Sequence, residues 1–214
     1  MATLKINDEF RSASAVYKIR SLLGKGKSGY SYLIENADGQ RVLKLMHSEE
    51  VPYYKFDDKI GAEIACYKQF LPTSLKIPVL REYDLERQYL IKDFIDGTVA
   101  SAAIAQSQIT PEIFRQLFHY AKELESQNIN LDYFPSNFII KNDELYYIDY
   151  ESNPYSDPWN FLNWGIYYWI NNEGMKKFLT TNDAAYINAS PAQGIPIKEG
   201  LRNRVEQLKA VYWS

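Results

Sequence analysis

Several residues in this chain are of types, and at spacings, that suit phosphate chemistry. Gly24, Gly26 and Gly29 make a G-x-G-x-x-G run in "GKGKSG", and residues without Cβ let a backbone approach phosphate oxygens closely. Lys44 follows in "VLKLM" and Glu63 in "GAEIA". A carboxylate that braces a lysine holds its ammonium where phosphate oxygens reach it, with an attraction of about 4 kcal/mol at about 4 Å and an effective dielectric of about 20, before desolvation. Asp132 and Asn137 lie five residues apart in "LDYFPSN", and Asp149 stands in "YYIDYE". Phosphoryl transfer needs a carboxylate to orient an attacking hydroxyl and take its proton, and oxygen ligands to hold magnesium on the phosphates. These three residues supply one candidate for each task. Taken singly, each piece has an ordinary reading too: a glycine-rich hairpin, a surface lysine with an unrelated helix glutamate, and Asp and Asn as turn formers.

These groups need elements to position them. Gly-Lys-Ser at 26–28 is not a P-loop, because Ser21 stands where that motif requires glycine. The strand-like "YSYLIEN" after the loop also differs from the helix that a dinucleotide fold places there. A strand-loop-strand flap over nucleotide phosphates fits. "SAVYKIRSLLG", "GYSYLIEN" and "QRVLKLMH", with the Asp-Gly turn of "NADGQ", predict a small antiparallel sheet. Ile60, Ile64, Tyr67 and Leu71 recur at helical spacing and predict a helix from about Asp57 to Phe70, ahead of Pro72. "LREYDLERQYLIKDFIDG" predicts two more strands closing on a turn at Gly97. In the second half, "TPEIFRQLFHYAKELESQN" is an amphipathic helix capped by Thr110 with Pro111 in its first turn, apolar at 114, 117, 118, 121 and 124. "NFIIKN" and "ELYYIDY" predict short strands about Asp143, "SDPWNFLNWGIYYWI" a buried helix, and "KEGLRNRVEQLKAVYW" a closing helix after a loop near Ser190-Pro191. The composition shift at Gly97 to Ala105 marks a boundary between two lobes, 1–96 and 97–214.

Bulk properties exclude other classes. The 214 residues, 46% hydrophobic and 24% charged, suffice for a buried core in one globular unit or two small lobes. A net charge of -3 gives no general attraction to nucleic acid or anionic membrane. No apolar run is long enough to span a bilayer, and "MATLKINDEFRSAS" lacks a signal peptide's apolar stretch, so a cytoplasmic location is expected. Cys66 is the single cysteine, so no internal disulfide forms. With only His47 and His119, neither a zinc site nor a histidine-based hydrolase is expected. Cys66 and both histidines read as packing or surface residues. Trp159, Trp164 and Trp169 read as core, with an aromatic acceptor pocket as the alternative. Ser28 reads as a small loop-tip residue, with an autophosphorylation site as the alternative.

In this order and at these spacings the pieces resemble the protein-kinase-like superfamily, over roughly residues 17 to 170. The resemblance implies a two-lobed α+β fold: a small antiparallel N-lobe with one helix, and a compact, mainly helical C-lobe. It implies transfer of the γ-phosphate of ATP to a hydroxyl with Mg2+, Mn2+ being the alternative metal. On it, Gly24, Gly26, Lys27, Ser28 and Gly29 form the phosphate loop and Val42 belongs to the ATP site. Lys44, held by Glu63, grips the phosphates and is catalytic together with Asp132, the base. Asp93, Phe94 and Ile95 lie near the adenine in a hinge at 91–97. Asn137 and Asp149 bind the metal, and Asp157 of "DPWNFLNWG" holds the backbone of the catalytic loop.

Three departures bear on the acceptor. Asn130-Leu131 replaces the family's His-Arg before the catalytic aspartate, which removes the arginine that receives an activation-loop phosphate. Phe134 replaces a lysine that reaches the transferred phosphate. Only Tyr150 to Ser156 separate Asp149 from Asp157, too few for a peptide-docking activation segment. The chain is in these respects similar to stand-alone bacterial serine/threonine kinases of the RIO and related atypical types, lipopolysaccharide kinases and aminoglycoside phosphotransferases. The implied acceptor is a protein serine or threonine, then a small-molecule hydroxyl such as a sugar or aminoglycoside; a nucleotide-binding scaffold without catalysis is the third reading.

Overall fold

The computed structural model of the protein describes residues 4–47, 49 and 58–213. The fold is α+β, and the chain divides into two units, Met1–Gln69 with Pro78–Ile95, and Phe70–Ile77 with Asp96–Ser214. The segment Phe70–Ile77, expected with the first half, groups with the second.

The first unit is one antiparallel sheet with a helix. Its strands are β1 (Glu9–Arg11), β2 (Val16–Lys25), β3 (Gly29–Asn36), β4 (Gly39–Met46), β5 (Leu80–Asp84) and β6 (Tyr89–Asp93), in the order β1-β2-β3-β4-β6-β5. Alternation along β4 sorts its side chains: Leu43 and Leu45 join Phe10, Ile19, Tyr32, Ile34, Tyr89 and Ile91 in a core on one face. Val42, Lys44 and Met46 therefore stand on the other. The sequence pattern misses β1, three residues whose Phe10 closes that core edge-to-face against Tyr89. The turn between β5 and β6 spans 85–88, with Gln88 at φ 56°, and Gly97 follows the end of β6.

Helix α1 (Lys59–Phe70) follows β4; its expected start at Asp57 lies outside the described residues. Ile60, Glu63 and Ile64 share its buried face. Leu71, expected on that face, is 59% exposed, and Phe70 is buried. Pro72 stops the helix before the turn that would carry Leu71 inward.

Glu82 of β5 holds the loop after β1. Its carboxylate accepts from Ser12 Oγ at 2.9 Å, Ser14 Oγ, Ala13 N–H at 2.8 Å and Tyr89 Oη at 2.5 Å. Burial disfavours its charge, but the hydrogen bonds from Ser14, Tyr89, Ala13 and Ser12 outweigh that and hold its pKa below the ordinary 4.5. A lowered folded pKa contributes stability above the unfolded value, and that contribution is lost as pH falls through the folded one. Glu82→Gln is expected to cost about 1–3 kcal/mol at pH 7. Urea titrations should show the gap from the parent closing as pH falls below 4.5; a gap independent of pH rules out this origin.

The second unit opens with β7 (Thr98–Val99), α2 (Ala100–Ala105) and α3 (Pro111–Ser126). Thr110 Oγ1 accepts the Ile113 N–H at 3.4 Å and caps α3, whose residues 114, 117, 118, 121 and 124 are all buried. Strand β8 (Ile129–Asn130) leads into the loop with Asp132, and β9 (Phe138–Lys141) and β10 (Glu144–Tyr147) form a hairpin turned by Asn142 and Asp143, at φ 52° and 58°. Strand β7 adds to β9, making a three-stranded sheet. Strand β11 (Asn153–Pro154) pairs with β8. The helix expected over 156–170 is broken: a 3-10 turn at Asp157–Trp159, a π-turn at Phe161–Gly165, and only then α4 (Ile166–Ile170). Asn160 breaks it by capping the second turn, accepting from Asn163 N–H at 2.7 Å. Of the three tryptophans expected in the core, Trp169 is buried, Trp164 half-buried and Trp159 45% exposed. Helix α5 (Asn172–Thr181), which the sequence pattern does not reveal, the small hairpin of β12 (Asn188–Ser190) and β13 (Ile195–Pro196), and α6 (Arg202–Tyr212) complete the unit. No helix among the described residues is long and apolar enough to cross a membrane.

Candidate functional site

In the first unit the strand period aims Lys44 at α1. Its Nζ lies 2.5 Å from Glu63 Oε1, the two side chains being 10% and 6% exposed. Ser28, at the tip of the β2–β3 hairpin, donates to the same Oε1 at 3.2 Å. Glu63 Oε2 is buried and has no hydrogen-bond partner among the described residues. Val42 is buried on the Lys44 face, paired in register with Leu33 and Lys92.

The three glycines have different reasons. A Cβ on Gly29 would stand 2.5 Å from the Leu45 carbonyl oxygen, so the β3–β4 approach itself demands glycine there. A Cβ on Gly24 would meet nothing within 4 Å, and one on Gly26 only the Gly29 oxygen at 3.8 Å. Neither has a positive φ. Packing thus leaves the backbone open at 24 and 26, the condition for close approach of phosphate oxygens.

His47 and Lys59 hold this hairpin. His47 Nδ1 accepts the Glu49 N–H at 3.2 Å, so the ring proton sits on Nε2 and goes to the Gly26 carbonyl at 3.2 Å. The His47 N–H and Lys59 Nζ both reach the Ser28 carbonyl, at 3.1 and 3.5 Å, and Lys59 also binds the His47 carbonyl at 2.6 Å. In a planar trans peptide C=O and N–H oppose each other, so the Lys27 N–H points away from His47. Lys25 is paired with Glu49 at 2.6 Å, and Lys27 is exposed. His47→Ala is expected to lower stability in urea unfolding by about 0.5–1.5 kcal/mol, while His47→Gln, which keeps a donor near Nε2, stays close to the parent. Equal losses in both variants exclude the hydrogen bond as the cause.

Asp93 uses its side chain structurally. Arg81 forks it with two bonds of 2.7 Å, Arg41 Nε lies 3.4 Å away, and its N–H goes to the Val79 carbonyl at 3.0 Å. Phe94 and Ile95 follow the end of β6, half-buried.

In the second unit the loop after β8 is tightly framed. Asp132 Oδ1 accepts the Phe134 N–H at 3.0 Å, and Asn137 Nδ2 donates to the Asp132 carbonyl at 3.2 Å. Asn137's own carbonyl accepts the Ile148 N–H at 2.9 Å, which brings the residue before Asp149 beside it. Trp169 Nε1 donates to the buried Tyr133 carbonyl at 2.9 Å, and Gly165 permits this docking, since a Cβ there would stand 2.5 Å from Tyr133 Cβ. Because Nδ2 of Asn137 is committed, its Oδ1 turns the other way. Asn137 Oδ1 and the Asp149 carboxylate are two hard oxygen donors, the number magnesium takes from protein when phosphates and waters complete its shell. Among the described residues no group of three or more His, Cys, Asp or Glu could hold a metal by itself.

Asp157 sits differently from the expectation: it is exposed, and its carboxylate accepts from Tyr155 Oη at 2.9 Å. The link from the loop's strand is instead the buried Asn130, whose Nδ2 donates to the Trp159 carbonyl at 2.9 Å. Phe134 packs edge-to-face on Tyr168 at 5.1 Å. The short segment after Asp149 zips back onto β8, with Asn153 opposite Asn130 and the Tyr155 N–H on the Asn128 carbonyl at 3.1 Å.

Comparison with models of protein families finds none that matches the chain, and comparison with curated proteins finds none either. The roles of His47, Lys59 and Asn130 escape sequence reasoning because their partners are carbonyls tens of residues away, which no spacing signals.

Proposed function

We propose that the protein is an ATP- and magnesium-dependent phosphotransferase of kinase-like, two-lobed fold, acting on a serine or threonine hydroxyl of a protein. The buried Lys44–Glu63 pair carries this reading. Burying a lysine and a glutamate costs several kcal/mol per ion, roughly repaid by their attraction, so the pair adds little stability. A charge kept at that cost, beside a glycine hairpin whose backbone is open at 24 and 26, suits binding phosphate oxygens. On this reading Gly24, Gly26, Lys27, Ser28, Gly29, Val42 and Lys44 hold the nucleotide, with Phe94 and Ile95 near its base. Asp132 orients the acceptor hydroxyl and takes its proton. Asn137 and Asp149 hold magnesium, which when bound neutralises charge on the phosphates.

A small-molecule hydroxyl is the second reading, favoured by the strand that Asn153–Pro154 forms against β8. This pairing occupies the stretch where a peptide-docking ledge would begin.

The test is to incubate the protein with γ-labelled ATP and magnesium, with and without generic proteins, beside Asp132→Asn. Label on protein that disappears in the variant supports the protein kinase. ATP turnover without protein label, the phosphate passing to water or to a small acceptor, points to the second reading. Nucleotide binding with neither leaves a scaffold and overturns the proposal.

A further inference from the structure

We infer that a cavity in the second unit, between the α2–α3 connection and helices α3, α4 and α6, binds a small organic carboxylate with a compact aliphatic body. The inference is independent of the phosphotransfer reading, and no nucleotide enters its test.

The cavity has a volume of about 120 Å³, close to the liquid volume of about four waters. That suits a carboxylate on a short branched chain and is too small for a nucleotide. Ile109, Phe114, Trp169 and Ile170 give it apolar walls, of which Phe114 and Trp169 are buried. Its polar groups are Ser107, Asn172 and Arg204. No acidic residue lines it, so it has nothing to attract a cation.

Arg204 stands where a cation is least favoured. The first turn of α6 contains Arg202 and Arg204 and no acidic residue, although the positive end of the helix dipole favours acidic side chains there. Among the described residues the Arg204 guanidinium makes one hydrogen bond, from Nη1 to Gln207 Oε1 at 3.4 Å, and no ion pair. Its planar fork of donors matches the two oxygens of a carboxylate.

Ser107 is held in an equally uncommon way. It follows the end of α2 at φ 56°, the left-handed conformation that glycine or asparagine ordinarily takes at a helix end. Its N–H donates to the Ile104 carbonyl at 2.9 Å, which fixes the turn. Asn172 Nδ2 donates to its Oγ at 3.0 Å, so the hydroxyl keeps its own proton for an acceptor. Ser107 and Arg204 are both exposed and therefore offer two donors at the solvent side of a hollow whose far walls are apolar. An organic carboxylate satisfies both sides, its oxygens on the donors and its aliphatic body against the rings. Inorganic phosphate would leave the apolar walls unused.

Isobutyrate is the probe, titrated into the full chain at low salt and followed by amide and indole N–H resonances. Saturable shifts are expected at Ser107, Ile109 and the Trp169 indole, whose N–H is fixed on the Tyr133 carbonyl at 2.9 Å. Ser107→Gly keeps the turn, since glycine suits φ 56°, and removes only the hydroxyl. Arg204→Gln removes the charge from an exposed helix position. Each is expected to weaken isobutyrate binding about three- to tenfold. Both should stay folded in urea titrations, as surface variants ordinarily do. Absent or unsaturable shifts overturn the site. Equal affinity for isobutyramide overturns recognition by charge, and with it the proposal. Equal affinity for acetate or inorganic phosphate makes the cavity a bare anion site, which overturns it as well. Isobutyrate affinity unchanged in either variant places the ligand elsewhere and is equally fatal.

Discussion

Asp132→Asn is expected to slow phosphate transfer about 10²- to 10⁴-fold, the range for removing a general base, and to leave nucleotide affinity unchanged. The substitution is close to isosteric. Asparagine keeps an oxygen for the Phe134 N–H, now accepted at 3.0 Å, and the loop remains pinned by Asn137 and Trp169. What disappears is the capacity to take a proton. Single-turnover rates beside equilibrium binding of ATP separate the two effects. Affinity falling in step with rate assigns Asp132 to binding, and an unchanged rate removes it from the chemistry.

Lys44→Met is expected to destabilise the protein by about 3–5 kcal/mol, because it strands Glu63 as a buried charge. Glu63 is 6% exposed by side chain, its Oε2 has no hydrogen-bond partner among the described residues, and Oε1 would keep only Ser28. Adding Glu63→Leu removes the stranded charge. The double variant should regain most of the stability in urea unfolding, since an apolar pair can replace a buried ion pair without loss. ATP affinity should stay at least about tenfold down in both, as expected when a charge-assisted bond to phosphate is gone. A double variant that binds ATP like the parent reduces Lys44 to a packing residue.

Much of the fold was legible where one period governed a whole element. Thr110, Pro111 and the apolar positions of α3 needed nothing beyond helical spacing. The face of β4 that carries Lys44 followed from alternation against Leu43 and Leu45. Reading failed where a neighbour overrode the period. Leu71 continues the apolar spacing of α1, but Pro72 ends the helix first. The aromatic run from Trp159 to Trp169 looks like one buried helix, but Asn160 restarts it and leaves Trp159 in solvent. Strand β1 is too short for any pattern and exists because Phe10 covers a core built by other strands.

The candidate chemistry divides in the same way. Residue type and order alone specify a lysine with a glutamate partner, and a carboxylate followed by an amide and a second carboxylate, since those properties travel with the side chains. Which groups hold them is settled by contacts between distant segments. His47 and Lys59 grip the glycine hairpin through its carbonyls, Asn130 takes the linking role expected of Asp157, and Tyr147 Oη donates to the Glu151 carbonyl. Backbone carbonyls have no residue identity, so the partners that satisfy them leave no mark in the sequence. Their choice emerges only when folding brings those segments within hydrogen-bonding distance.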